Sequence, residues 1–334
     1  MRLKKWMLML VLCAGIIITY TGCGSEPPVS ENQFCLDTIC TVTVYNEKQE
    51  DAQKALEAAF ACCRKYEDML SKTVKGSDIY KINHAQGKAV TVCDETLQLI
   101  KKGIRYGRLS EGKFDITIGA VSDLWDFKET KRVPDKQKLR KATETVDYRK
   151  IKITGNKVQM EDPRARLDLG GIGKGYIADR VIETLEKQGV EQAVISLGGN
   201  VAVLGEKEKD TPWTIGIERP YSKKTEVIGA VHMTDETIVT SGVYERFFIE
   251  NGKTYHHVLD AQTGYPVKTT LEAAVVKGKK GTSADCDALS TICLMLGKEK
   301  SRELLKNQKE IQAAFIDRND RITAVNGMEI LPAE

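Results

Sequence analysis

The chain of 334 residues carries 50 Lys and Arg against 47 Asp and Glu, a net charge of +3. Its length suits one large domain or two closely packed ones. So even a balance excludes the strongly basic surface of a nucleic-acid binder, and no nucleic-acid partner is expected: what the protein binds must be recognised by a site, not by a field.

In chain order, the first stretch reads as a targeting segment. Arg2, Lys4 and Lys5 precede an apolar run from Trp6 to Ile18, which ends in Thr19-Tyr20-Thr21-Gly22-Cys23. A positive start, an apolar middle and a small-residue exit describe a secretory signal. Cys23 after a small residue resembles a bacterial lipobox cysteine, which is acylated and becomes the new N-terminus. The run falls short of the roughly 20 residues of a spanning helix, which counts against an uncleaved anchor. Residues 1–22 are therefore expected as a lipoprotein signal peptide. Residues 23–33, polar and proline-containing, are expected as a flexible tether.

The domain proper is expected over residues 34–334. "CTVTVYN" alternates like a half-buried strand. Asp51–Leu70 places Ala52, Ala55, Leu56, Ala59, Cys63, Tyr66 and Leu70 at helical spacing. Asp94 reads as the N-cap of a second helix through Leu97, Ile100 and Ile104. Lys128–Lys150 is charged and reads as a surface excursion with a short helix. "ARLDL" reads as a strand entering a glycine-rich loop, and Ile177–Gln188 as the helix leaving it, with Gly189 at its C-terminal cap.

Strands then follow in quick succession: "AVISLGGNVAVLG", "WTIGIERP", "GAVHMT" and "TIVTSG". Asn251-Gly252 marks a hairpin within "ERFFIENGKTYHHVLD". Helices over Ser283–Leu296 and near Lys298–Lys306 precede a last strand pair around Asn319-Asp320. The order is α+β, mixed strands and helices without strict βαβ alternation. Of nine cysteines, Cys13 falls in the signal and Cys23 in the lipobox. The rest are odd in number, contain no Cys-x-x-Cys pair, and read mostly as small core hydrophobes.

Three segments carry candidate chemistry. "RLDLGGIGKGYIADRVIETL" (Arg166–Leu185) packs four glycines and a lysine between an apparent strand and a helix. A nucleoside-triphosphate loop fails here, because Asp168 stands where its first glycine belongs and Gly175 follows Lys174 where a hydroxyl is needed. The dinucleotide pattern fits Gly173, Gly175 and Ala178, but weakly, in a chain that does not alternate. A helix N-terminus offers N–H groups and a positive dipole end to an anion; the same glycines also serve a plain tight turn.

In "GTSADCDALSTICLMLG", Asp287 and Thr291 stand four apart and share a helical face. A carboxylate and a hydroxyl on one face suit a hard cation such as Mg²⁺, and also suit a solvated face or a cap. In "YHHVLDAQTGYP", His256 and His257 point to opposite sides of a strand, so one of them is available as a proton acceptor. A structural histidine explains the same residues.

In this order, "FDITIG…LW", "LDLGGIGKGYIAD", "ISLGGN", "TSGVYERFF", "YHHVLDAQTGYP" and "ADCDALST…LG" resemble the ApbE family of FAD:protein FMN transferases, from about Phe34 to the last strands. The resemblance implies two interleaved α+β lobes with the active site in the cleft between them. It implies transfer of the FMN half of FAD to a Ser or Thr hydroxyl of another protein, with release of AMP and with Mg²⁺ as cofactor. Asp168 and Lys174 match FAD-contacting positions, as do Leu36, Lys113, Phe114, Asp115 and Leu259. The Gly171 carbonyl, Asp287 and Thr291 match metal ligands, and His257 matches the histidine of the chemistry, with Asp287 its rival as base. Asp37 departs from the family pattern, standing where Gly is frequent.

The acceptor motif of the family is Ser/Thr-Gly-Ala-Ser/Thr, a tetrapeptide missing from this sequence, so a separate acceptor protein is expected. With the lipobox, the resemblance implies an enzyme lipid-anchored at Cys23 on the extracytoplasmic face of a bacterial membrane. An FAD pyrophosphatase that uses water as acceptor shares every motif. A non-catalytic flavin-binding lipoprotein is the reading from another class, and a dinucleotide-binding dehydrogenase is weaker still.

Overall fold

The computed structural model describes residues 26–222 and 226–333, so the expected signal peptide and Cys23 lie outside the described residues. The N-terminal half contains β1 (Val29–Cys35), β2 (Thr38–Val44), α1 (Gln49–Leu70), α2 (Asp78–His84), β3 (Val90–Thr91) and α3 (Asp94–Leu109). After them come α4 (Gly119–Ser122), α5 (Lys136–Thr143), β4 (Ile151–Thr154), β5 (Lys157–Met160) and α6 (Gly173–Lys187). The strand-rich part follows: β6 (Ala193–Leu197), β7 (Asn200–Leu204), β8 (Trp213–Glu218), β9 (Val227–Met233), β10 (Glu236–Gly242), β11 (Phe247–Glu250) and β12 (Lys253–His256). The chain ends with β13 (Leu271–Lys279), α7 (Ser283–Leu305), β14 (Gln312–Asp317), β15 (Ile322–Val325) and β16 (Leu331–Pro332).

An eight-stranded sheet in the order β1-β2-β6-β7-β10-β13-β14-β15 organises the molecule. Its ladders are antiparallel, which disposes of the doubly wound dinucleotide fold. Side chains alternate across a strand, and the central strands bury both faces. Ala274 and Val276 of β13, with Ala313 and Phe315 of β14, join the core under α1, α6 and α7. Their neighbours Ala273, Val275, Ala314 and Ile316 pack on the other side against Trp213, Ile217, Val231 and Met233 of β8 and β9. Hence the near-continuous apolar runs of β13 and β14. At the β1–β2 end the outer face is left open.

α6 and α7 cross closely and cap each other. The N-cap Thr282 of α7 makes no side-chain cap; instead the Asp179 carboxylate of α6 accepts from the N–H groups of Ser283 (2.9 Å) and Ala284 (3.2 Å). In return Asp287 Oδ2 of α7 accepts from Gly175 N–H, in the first turn of α6, at 2.8 Å. Gly175 has no room for a side chain, since a Cβ would collide with the Ser283 carbonyl. Burial pushes the Asp179 carboxyl up to about 6, against the pull of the two N–H donors. Asp179→Ala is expected to cost about 1–3 kcal/mol, the penalty for buried donors left unpaired, and Asp179→Asn clearly less, because its amide oxygen still accepts. Urea denaturation checks this; equal losses for the two variants would show that the cap contributes nothing.

Several expectations are corrected. "ARLDL" forms no sheet strand: it lies beside residues 116–119, with Asp168 N–H on the Ile116 carbonyl and Gly119 N–H on that of Arg166. Buried Asn83 clamps Leu167 through its N–H (2.6 Å) and its carbonyl (2.9 Å), doing the work of a neighbouring strand. α6 starts at Gly173 and not Ile177, so the lysine of the glycine loop is already helical. The N-cap of α3 is Cys93, not Asp94. Val29–Gln33, assigned to the tether, pair with β2. The two C-terminal helices meet at Gly297, whose φ of 73° breaks the ladder between them. The cysteines from Cys35 onward are free thiols, five of them buried.

Candidate active site

Several segments distant in sequence converge near the N-terminal end of α6. The Asp168 carboxylate accepts from Lys72 Nζ (2.8 Å), Ser122 Oγ (2.6 Å) and Gly170 N–H (2.9 Å). Burial alone would raise this carboxyl, but Lys72 and the two other donors outweigh it and hold it below its usual range. Asp168 is thus ionised, with its charge matched by Lys72, and it fixes the loop that leads to Gly171. A Cβ on Gly171 would meet the Phe114 ring at 2.9 Å and lie 3.8 Å from Thr291 Oγ1, so this backbone runs directly past α7.

Lys174 Nζ donates to the Gly198 carbonyl at 2.9 Å. Gly198 and Gly199 form the β6–β7 turn with φ values of 56° and 86°, the pair of left-handed residues a two-residue hairpin requires. The Lys174 ammonium also acts on Asp287, Glu245 and His257, altering the proton affinity of each. It therefore stands at the centre of the constellation. Of the first three N–H groups of α6, that of Gly173 is spent on the Leu169 carbonyl and that of Gly175 on Asp287. The helix end expected to cradle an anion is largely occupied, and the positive charge offered here is that of Lys174.

Asp287 is 4% exposed. Burial raises its carboxyl, opposed by Lys174 and the Gly175 N–H. Only Oδ2 has a hydrogen-bond donor among the described residues. Thr291 Oγ1 lies 3.1 Å from Ser241 Oγ, which in turn bonds Ser290 Oγ at 2.8 Å. One oxygen of Asp287, the Thr291 hydroxyl and the adjacent Gly171 backbone form an all-oxygen donor set. That chemistry fits a hard divalent cation and gives no foothold for a soft one.

The two histidines divide as alternation requires. His256 is 9% exposed, with Nε2 3.2 Å from the Val267 carbonyl, and serves the fold. His257 donates its backbone N–H to the Arg246 carbonyl at 3.0 Å, and its Nδ1 lies 3.3 Å from the same oxygen. A carbonyl only accepts, so Nδ1 carries the proton and Nε2 keeps its lone pair. Burial, then the charge of Arg246, drive the imidazole down to about 3. His257 is therefore neutral at physiological pH.

Beneath this hairpin lies an aromatic cluster. Trp125 contacts Phe127, Phe248, Tyr255 and Tyr265 at centroid distances of 5.6–6.2 Å, and its indole N–H donates to the Gly264 carbonyl at 2.8 Å. Leu259 is buried in the same cluster. Lys113 pairs with Asp260 at 3.0 Å, in the turn where Asp260 Oδ1 accepts from Gln262 and Thr263 N–H groups. Both oxygens of Asp115 are committed to Thr117 and Tyr148. Leu36 occupies the left-handed region (φ 54°), its N–H held by Glu67 at 3.1 Å.

Lys72, Ser122, Ser241, Glu245 and Arg246 escaped the sequence reading. The first four act on partners far along the chain, with no local spacing to reveal them, and Arg246 acts on His257 across the β11–β12 hairpin through its backbone carbonyl; "TSGVYERFF" was legible as a motif, but not the direction of its charges.

A family model described as the ApbE family matches residues 36–315. The FAD:protein FMN transferase of Treponema pallidum (strain Nichols) is 31% identical over 344 aligned positions, covering 97% of this chain and 94% of that protein. A protein of the same name from Klebsiella pneumoniae (strain 342) is 36% identical over 264 positions, covering 78% and 81%. Among solved structures, the ApbE protein of Thermotoga maritima superposes with a TM-score of 0.81 at 27% identity, covering 90% of this chain and 97% of that one. The flavin transferase ApbE of Vibrio cholerae gives 0.78 at 25%, with coverage of 90% and 97%.

Proposed function

The chain belongs to the ApbE family, and from that premise we propose that it transfers the FMN half of FAD to a Ser or Thr hydroxyl of a separate acceptor protein, releasing AMP. The observation that carries this reading is the convergence of Lys174, Asp287, Thr291 and neutral His257 around one end of α6. A Rossmann dehydrogenase has no place on an antiparallel sheet, and a passive flavin carrier does not call for the Asp287–Thr291 pair beside the Gly171 backbone.

FAD is the substrate, and its diphosphate is the group under attack. Lys174, whose ammonium is anchored by the Gly198 carbonyl, would supply a cation to that diphosphate. Asp287, Thr291 and the Gly171 carbonyl would hold Mg²⁺, which when bound neutralises charge on the attacked phosphorus and the leaving AMP. His257 Nε2 accepts the proton of the acceptor hydroxyl as it attacks, and the Arg246 carbonyl fixes the tautomer that allows this. Asp168 ties the loop to Lys72 and Ser122, so the Gly171 backbone is rigid before FAD arrives.

The motifs leave the acceptor as a protein bearing Ser/Thr-Gly-Ala-Ser/Thr, and the N-terminal sequence supports a lipid anchor at Cys23 on the extracytoplasmic side of the membrane. The test is direct. Full-length protein in mild detergent receives FAD, Mg²⁺ and an acceptor domain with a Ser/Thr-Gly-Ala-Thr motif. The acceptor should gain the mass of one FMN while AMP appears in equal amount. AMP and free FMN with an unmodified acceptor would identify a pyrophosphatase instead.

A further inference from the structure

Two large apolar side chains stand in the open at the tip of the β1–β2 hairpin. Phe34 is 76% exposed and Ile39 60%, and the two are directly paired across the antiparallel register. The rest of that outer face is polar and satisfied within itself: Thr41 Oγ1 bonds Asn32 Oδ1 at 2.5 Å, and Ser30 Oγ lies 2.9 Å from Thr43 Oγ1. The apolar surface is therefore confined to the tip. Single exposed hydrophobes need no explanation, but a paired aromatic and aliphatic residue at the rim of a reaction site does.

The tip is tied to the reacting groups at two points. The Asp37 carbonyl accepts from Arg246 Nη2 at 3.4 Å, and the Arg246 carbonyl holds His257. On the other strand, Thr38 packs against Gly198, where a Cβ would collide with its hydroxyl, and the Gly198 carbonyl holds Lys174. Asp37 also pairs with Lys128 at 2.8 Å, giving the tip a charged border. An apolar centre with a charged rim is the ordinary anatomy of a protein-docking patch.

We propose that the β1–β2 tip, centred on Phe34 and Ile39, is the surface on which the acceptor protein docks, apolar against apolar, to deliver its hydroxyl to His257. This rests on the transferase reading above. A reaction whose second substrate is a folded protein needs such a surface beside the site, because the reacting hydroxyl alone carries too little contact for affinity. A membrane surface is the less fitting occupant. β1 rises about 20 Å from Val29 to Cys35 at 3.3 Å per residue, so the tip lies at the end of the hairpin remote from the chain's N-terminal side.

The test is the double variant Phe34→Ser/Ile39→Ser in the full-length protein. With FAD saturating and the Ser/Thr-Gly-Ala-Thr acceptor domain varied, KM for the domain should rise tenfold or more. kcat at saturating acceptor, FAD affinity and thermal midpoint should stay at wild-type values. A short synthetic peptide with the same motif, too small to reach the tip, should be modified equally by both enzymes. An unchanged KM for the folded acceptor overturns the proposal. So does a matching loss of FAD affinity, which would make the tip part of the flavin pocket. Loss of binding to phosphatidylglycerol vesicles with an unchanged acceptor KM would assign the tip to the membrane. A wild-type enzyme that never modifies the acceptor overturns the transferase reading as well, and that outcome is distinguishable from the others.

Discussion

Flavin transfer is expected to fall at least a hundredfold when divalent metal is stripped with EDTA, to return with added Mg²⁺, and to stay lost in Asp287→Asn whatever the Mg²⁺ concentration. The choice of Asn matters. Asp287 Oδ2 also accepts the Gly175 N–H, so Asp287→Ala would leave a buried donor unpaired at a cost of about 1–3 kcal/mol. Activity and stability would then fall together and the result would be ambiguous. An Asn amide oxygen can still take the Gly175 N–H, so the α6–α7 crossing survives, while a neutral ligand is a poor substitute for the only carboxylate of the donor set. The predicted signature is an Asn variant that melts like the wild type and transfers no FMN. An Asn variant within tenfold of wild type and still sensitive to EDTA would move the metal to other ligands.

That dual use of Asp287 also explains how far the sequence could be read. Local pattern carries local structure. Helix α1, the Asn251-Gly252 hairpin and the strand pair around Asn319-Asp320 all rest on periodicity or turn chemistry within a few residues, and all are present; Gly189 takes its left-handed conformation one residue past the actual cap of α6, Gln188. The Asp287–Thr291 spacing and the separation of His256 from His257 follow from helix and strand geometry in the same way. What stayed hidden is tertiary. Asp179 capping α7, Asp287 capping α6, and Lys72 matching Asp168 each join residues about a hundred positions apart. No period links them. The "ARLDL" segment misled for a related reason: its alternation is real, but its partners are Asn83 and residues 116–119, not a sheet. Glycines invite a phosphate-loop reading, yet Gly175 is small because the Ser283 backbone passes beside it.

The second large effect is expected at His257. His257→Ala should lower transfer by about 10²- to 10⁴-fold, the usual worth of a positioned general base, while FAD affinity changes little. Equal losses in both would reduce His257 to a binding residue. The rival base is Asp287, but its Oδ2 is engaged by Gly175, and a metal on the remaining oxygen would leave it little capacity for a proton. Added imidazole separates the two: restored transfer in His257→Ala assigns the proton to the histidine. The pH dependence follows from the same geometry. Burial and the Arg246 charge lower the imidazole from its ordinary value to about 3, so the free enzyme holds the basic form throughout the neutral range. An ordinary histidine would cost kcat/KM for FAD more than tenfold between pH 7 and 5; no such loss traceable to His257 is expected. Stability carries the opposite face of the shift. A histidine whose folded value is depressed contributes fully above its unfolded value, about 6.5, and that contribution is lost as pH falls from there toward the folded value. His257→Gln, neutral at every pH, should therefore lose less stability than the wild type on acidification below pH 6.5. If the two denature in parallel across that range, the imidazole is not depressed by its surroundings, and the flat pH profile expected above fails with it.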